Sequence, residues 1–88
     1  MGLAVPTAGT AFAVTVYPPE GGHWWYNMGP SATESEYLHD TKKHGASAKG
    51  RGDAQLVRST CRAAGYYATA VSKHGSGSGV ARAYYRLC

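Results

Sequence analysis

The clearest pattern in the chain lies near its C-terminal end. Ala81, Ala83, Tyr85 and Leu87 alternate with Arg82, Tyr84 and Arg86, which is the period of a half-buried strand. Upstream, "YYATAVSK" (66–73) forms a second run, and "HGSGSG" (74–79) separates the two. Flexible glycine and serine between two such runs predict a hairpin with a long loop. "HWWYN" (23–27), entered through Gly21-Gly22, predicts a short buried strand, and "MGPSATE" (28–34) a loop. "SEYLHD" (35–40) and "KKHGASA" (42–48) predict two short strands with a turn near Asp40-Thr41, followed by the basic glycine loop "KGRGD" (49–53). "AQLVRSTCRAAG" (54–65) opens with good helix formers. Its Val, Ser, Thr and Cys then favour a strand, with Val57, Ser59 and Cys61 on one face. Short strands at this spacing predict one all-β sandwich or barrel.

The N-terminal stretch "LAVPTAGTAFAV" (3–14) is uncharged, small and apolar. Ala11-Phe12-Ala13 fits the small-x-small rule of signal-peptidase cleavage, although no basic start precedes the apolar run. Residues 1–13 are therefore expected to be a signal-peptide remnant without structure, with an ordinary N-terminal strand as the competing reading. "VTVYPPE" (14–20) begins as a possible strand that Pro18-Pro19 breaks, and is assigned as a linker to a domain over 21–88. Cys61 and Cys88 are the only cysteines. An even count in a short exported chain predicts one disulfide, and neither cysteine belongs to a Cys-x-x-Cys metal pair.

Isoleucine is absent, while tyrosine occurs seven times and tryptophan twice. Aromatic rings must therefore supply much of the core, each with a polar edge to satisfy. Adjacent Trp24 and Trp25 point to opposite faces of a strand. Nine Lys/Arg against five Asp/Glu give net charge +4, which draws a small domain to anionic partners without choosing among them. The tripeptide "RGD" (51–53) is too short to carry meaning.

"SEYLHDTKKH" (35–44) concentrates the candidate chemistry. As a metal site it is poor: His39 and His44 are five apart, and zinc wants three or four ligands. As a catalytic site it lacks a paired carboxylate, and no nucleophile arrangement exists elsewhere, so no enzyme and no cofactor is expected. As an anion-binding face it is stronger. Tyr37 and His39 share one side of a strand, and Lys42 and His44 share a side of the next. With Trp24 nearby and Arg82 and Arg86 as outlying cations, they are the expected ligand contacts. The competing reading is a solvated strand face with a structural tyrosine.

Four elements together resemble one known family. They are "GGHW" (21–24), the Ser35-x-Tyr37-x-His39-x-x-Lys42-x-His44 element, "AAGYYATAV" (63–71) and the terminal "AYYRL" (83–87). Their order and spacing resemble the lactococcin 972 family of bacteriocins. The cysteine pair lies outside that resemblance. The resemblance implies a secreted β-sandwich of two three-stranded antiparallel sheets. It also implies antibacterial action on Gram-positive cells by binding the cell-wall precursor lipid II and blocking septum synthesis without pores. Contact with the membrane surface is compatible with such a target; transmembrane insertion and nucleic acid as partner are not expected. The alternative is a secreted basic module that holds nucleic acid or glycan.

Overall fold

The computed structural model describes residues 13–88, so the expected signal remnant falls outside the described residues except for Ala13. Within them the chain forms seven strands: β1 (Ala13–Val16), β2 (His23–Met28), β3 (Ala32–Leu38), β4 (His44–Lys49), β5 (Leu56–Arg58), β6 (Ala68–Lys73) and β7 (Arg82–Leu87). A four-stranded sheet runs in the order β1-β2-β3-β6 and a three-stranded sheet in the order β5-β4-β7, with every pairing antiparallel. The all-β sandwich expected from the sequence is present. Its sheets hold four and three strands rather than three and three, because Ala13–Val16 at the head of the expected linker pairs with β2. Among the described residues no helix is long and apolar enough to cross a membrane.

Two other expectations need correction. The loop expected over 28–34 is confined to residues 29–31, since β3 already begins at Ala32. Turn chemistry there is supplied by Gly29 N–H donating to the Ala32 carbonyl at 3.0 Å. The expected β6–β7 hairpin does not form: β6 pairs with β3 in one sheet and β7 with β4 in the other. The "HGSGSG" segment instead crosses between sheets and lies against "KGRGD". Gly52 N–H donates to Gly79 O at 2.8 Å, Asp53 N–H to Ser76 O at 2.8 Å, and Gly75 N–H to Arg51 O at 2.9 Å. A β-carbon on Gly52 (φ +74°) would meet the Ser76 carbonyl oxygen at 2.4 Å, so only glycine lets the two loops approach.

The core explains how an alanine-rich chain can fold. Tyr37 lies fully buried between the sheets with Ala46 and Ala68, and Trp24, Tyr85 and Leu87 close over them. Ala48 and Ala70 extend this floor of small side chains. Large rings on one element meet methyl groups on the facing strands, which fills the interlayer space without branched aliphatics. The polar edge of Trp24 is satisfied within it: Trp24 Nε1–H donates to Ser35 Oγ at 2.9 Å, and Ser35 Oγ–H donates across the interlayer to Tyr84 O at 2.9 Å.

Candidate functional site

The "SEYLHDTKKH" stretch carries the chain from one sheet to the other, and this turns its aromatic and histidine side chains inward. Tyr37 and His44 have no exposed surface and His39 is 5% exposed. The residues expected to present a patch on two strand faces are thus largely interior. Alternation places Tyr37 and His39 on a common side, as expected, but that side is the core.

Each ring is engaged by backbone. Tyr37 Oη–H donates to Gly21 O at 2.7 Å. Burial, followed by the nearby Glu20 charge and Tyr85, raises the Tyr37 phenol above its ordinary range. His39 Nδ1 accepts from the Thr41 and Lys42 amides, both at 3.2 Å, which leaves Nε2–H to donate to Glu20 O at 2.9 Å. His74 repeats the arrangement, with Nδ1 accepting from Arg51 N–H at 2.8 Å and Nε2 at 2.8 Å from Gly29 O. His44 differs: Nδ1 lies 2.8 Å from Lys42 O and Nε2 lies 2.5 Å from Tyr66 O. Both of its ring nitrogens thus face backbone carbonyl oxygens. These histidines are staples between loops. No three of His, Cys, Asp and Glu gather into a metal-holding group among the described residues.

Trp24 is likewise a core ring, 4.6 Å from Tyr26 and 5.0 Å from Tyr85 between centroids. Lys42 is exposed on the β3–β4 turn, outside the register positions of β4 and β7. Of the seven expected contacts, Arg82 and Arg86 remain on an open sheet face together.

That face is the outer side of the three-stranded sheet, and the register shows what it carries. Lys49 pairs with both Leu56 and Arg82, Ser47 with both Arg58 and Tyr84, and Gly45 with Arg86. Since Ala46, Tyr85 and Leu87 face the core, their neighbours form three outward rows. Strand spacing of about 4.8 Å and rows roughly 6.8 Å apart put these side chains within one small patch. Four of the nine Lys/Arg of the chain lie on it, with no Asp or Glu at these register positions. Tyr84 stands among them 45% exposed. Ser47, Leu56, Arg58, Tyr84, Tyr85 and Arg86 line a shallow cavity of about 290 Å³.

Arg86 is held in place. Its guanidinium donates to Ser59 O at 2.7 Å and lies 3.5 Å from Ser47 Oγ. It lies flat over Gly45, where a β-carbon would come within 2.4 Å of Cζ. Arg58 and Arg82 are exposed and make no such bond among the described residues. One positioned arginine and two exposed ones thus stand around a serine hydroxyl, and guanidinium groups are donors of the kind that pair bidentately with phosphate oxygens. Lys49 serves partly as a structural donor, to Gly52 O at 3.1 Å.

Sequence reasoning missed Arg58, Lys49, Tyr84 and Leu56 as members of this face. Alternation in β7 showed that Arg82, Tyr84 and Arg86 point one way, but nothing local told which strands lie beside them. Cys61 and Cys88 form the expected disulfide, which links the segment after β5 to the end of β7.

No curated protein and no solved structure gives a significant match to the chain. A family model does: that of the bacteriocin lactococcin 972 matches residues 20–85, from the Gly21-Gly22 entry to Tyr85 in the last strand. With three quarters of its length covered in this way, the chain belongs to the lactococcin 972 family of bacteriocins.

Proposed function

We propose that the protein is a secreted antibacterial protein that binds lipid II and thereby blocks peptidoglycan and septum synthesis without forming pores. Membership of a bacteriocin family supports the antibacterial and extracellular parts of this reading. The observation that carries the ligand is the outer face of the three-stranded sheet, with Lys49, Arg58, Arg82 and Arg86 around Ser47 and Tyr84. The arginines would neutralise the pyrophosphate of the precursor, and Tyr84 would lie against a sugar or the isoprenoid-proximal end. On this reading the action is occlusion of the precursor from the enzymes that use it.

Titration of micellar lipid II into isotopically labelled protein tests the assignment. Amide and side-chain shifts are expected at Ser47, Arg58, Arg82, Tyr84 and Arg86. Shifts confined to other surfaces would remove this face as the site. Growth inhibition of Gram-positive cells with septum defects tests the biological reading. Strong salt-dependent binding to DNA without growth inhibition would replace it with a polyanion-binding module.

A further inference from the structure

A second exposed surface lies at one end of the sandwich and is not explained by the cationic face. Three connections meet there: residues 17–22, 39–43 and 59–67. They are tied to one another, with Gly65 N–H donating to His39 O at 2.8 Å, His39 bonded to Glu20 O, and His44 bonded to Tyr66 O. From this fixed base project Tyr17, Tyr66 and Tyr67, which are 77%, 60% and 37% exposed. His23 stands between two of them, with ring centroids 6.2 Å from Tyr17 and 6.1 Å from Tyr67. The Arg62 guanidinium sits over the Tyr66 ring at 5.7 Å. Lys42 and Lys43 are exposed on the adjoining turn.

Three exposed tyrosines on loops that are pinned, rather than loose, are a surface prepared for contact, because ordering them on binding costs little further entropy. The ring geometry separates two kinds of partner. Tyr17 and Tyr67 meet His23 at 62° and 64°, edge to face, so the cluster offers no continuous flat platform for a sugar ring. It offers apolar ring edges tipped with hydroxyls, beside cations on flexible stems. That combination matches the water–lipid interface, where tyrosine sits at headgroup depth and lysine and arginine reach phosphate. The acids at this end are Asp40 and Glu20, and the Glu20 carboxylate already accepts from Tyr85 Oη at 3.0 Å; Lys42, Lys43 and Arg62 outnumber them.

We propose that this end of the sandwich docks on the surface of a phospholipid bilayer, with Tyr17, Tyr66 and Tyr67 at headgroup depth and Lys42, Lys43 and Arg62 on lipid phosphates. The strands stay outside the hydrocarbon. The contact needs only bulk phospholipid, so it stands apart from the precursor reading.

The test is co-sedimentation with vesicles of phosphatidylcholine and phosphatidylglycerol that contain no lipid II. The unaltered protein is expected to partition onto them. The triple variant Tyr17→Ser/Tyr66→Ser/Tyr67→Ser, shown folded by its circular dichroism and melting curve, is expected to lose partitioning by about tenfold or more. Tyr17→Trp/Tyr66→Trp/Tyr67→Trp is expected to retain it. Failure of the unaltered protein to sediment would overturn the proposal while leaving lipid II binding in micelles intact. Loss in Arg58→Ala/Arg82→Ala with retention in the tyrosine-to-serine variant would overturn it in favour of the sheet face. Binding of the tyrosine cluster to lipid-free glycan strands but not to vesicles would overturn it in favour of a sugar site.

Discussion

The Cys61–Cys88 bond joins two exposed residues 27 apart in sequence. Cys61 precedes Arg62, whose backbone pairs with His44 in both directions at 2.8 and 3.1 Å, while Cys88 N–H donates to Lys43 O at 3.0 Å. Both ends are therefore fixed in the folded state by other means, and the cross-link acts chiefly on the unfolded chain. Chain-entropy bookkeeping for a loop of this length gives about 3.6 kcal/mol at 25 °C. For a domain of this size that corresponds to a fall in Tm of roughly 14–28 °C on removal. Thermal melts of the oxidised protein and of Cys61→Ser/Cys88→Ser, with guanidinium titrations at 25 °C, measure the difference. A loss below about 1 kcal/mol would refute the reasoning, since it would mean that the unfolded chain already holds these ends together. A loss in stability accompanied by disorder of residues 59–67 in the cross-link-free protein would equally refute it, since the bond would then be shaping the folded state.

Three further outcomes follow from single contacts. Tyr37→Phe keeps the ring but strands the Gly21 carbonyl and should lower stability by about 1–2 kcal/mol in denaturant titration; the unaltered protein should lose stability above pH 10, since the Tyr37 phenol is raised in the fold and its ionisation favours the unfolded state. The Glu36 carboxyl is raised by burial and then by the Glu34 charge beside it. A carboxyl raised in the fold costs stability as pH climbs from its unfolded value through its folded one, so Glu36→Gln should raise Tm at pH 7 and flatten the fall of the melting profile as pH climbs above the ordinary carboxylate range. Gly45→Ala should move the Arg86 guanidinium off its seat, lower stability by about 1–3 kcal/mol as Ser59 O loses its donor, and weaken inorganic pyrophosphate binding on the order of tenfold, read by calorimetry.

How much of this was legible in the sequence depends on whether the information is local. The period-2 alternation of 81–87 identified β7 and the outward direction of Arg82, Tyr84 and Arg86, because strand parity is a property of neighbouring residues. The β6–β7 hairpin was misread because a glycine-rich connection says that the chain turns, not which sheet it enters. The same blindness hid the cationic face: Arg58 and Lys49 join Arg82 only through the pairing of β4 with two strands distant in sequence. Tyr37, His39 and His44 were read as ligand contacts on an open face and instead lie together in the interior, because which side of a strand is the core is a tertiary fact. Their polar atoms have partners on residues as far away as Glu20 and Tyr66, which no spacing rule anticipates.

The crossing of the chain between sheets also sets an order in time. β3 must await β6, with Ala32 opposite Lys73, and β4 must await β7, with His44 opposite Leu87. The two pairings interleave: the four-stranded sheet is complete once β6 has been made, but the three-stranded sheet cannot be completed while the chain beyond residue 81 is missing. Such long-range pairing makes for slow assembly, and it keeps the emerging chain without its final form until β7 is supplied. Arg82 and Arg86 of the cationic face arrive with that same strand, to stand beside Arg58 and Lys49. The surface offered to an anionic partner therefore comes into being at the moment the fold closes, and not before.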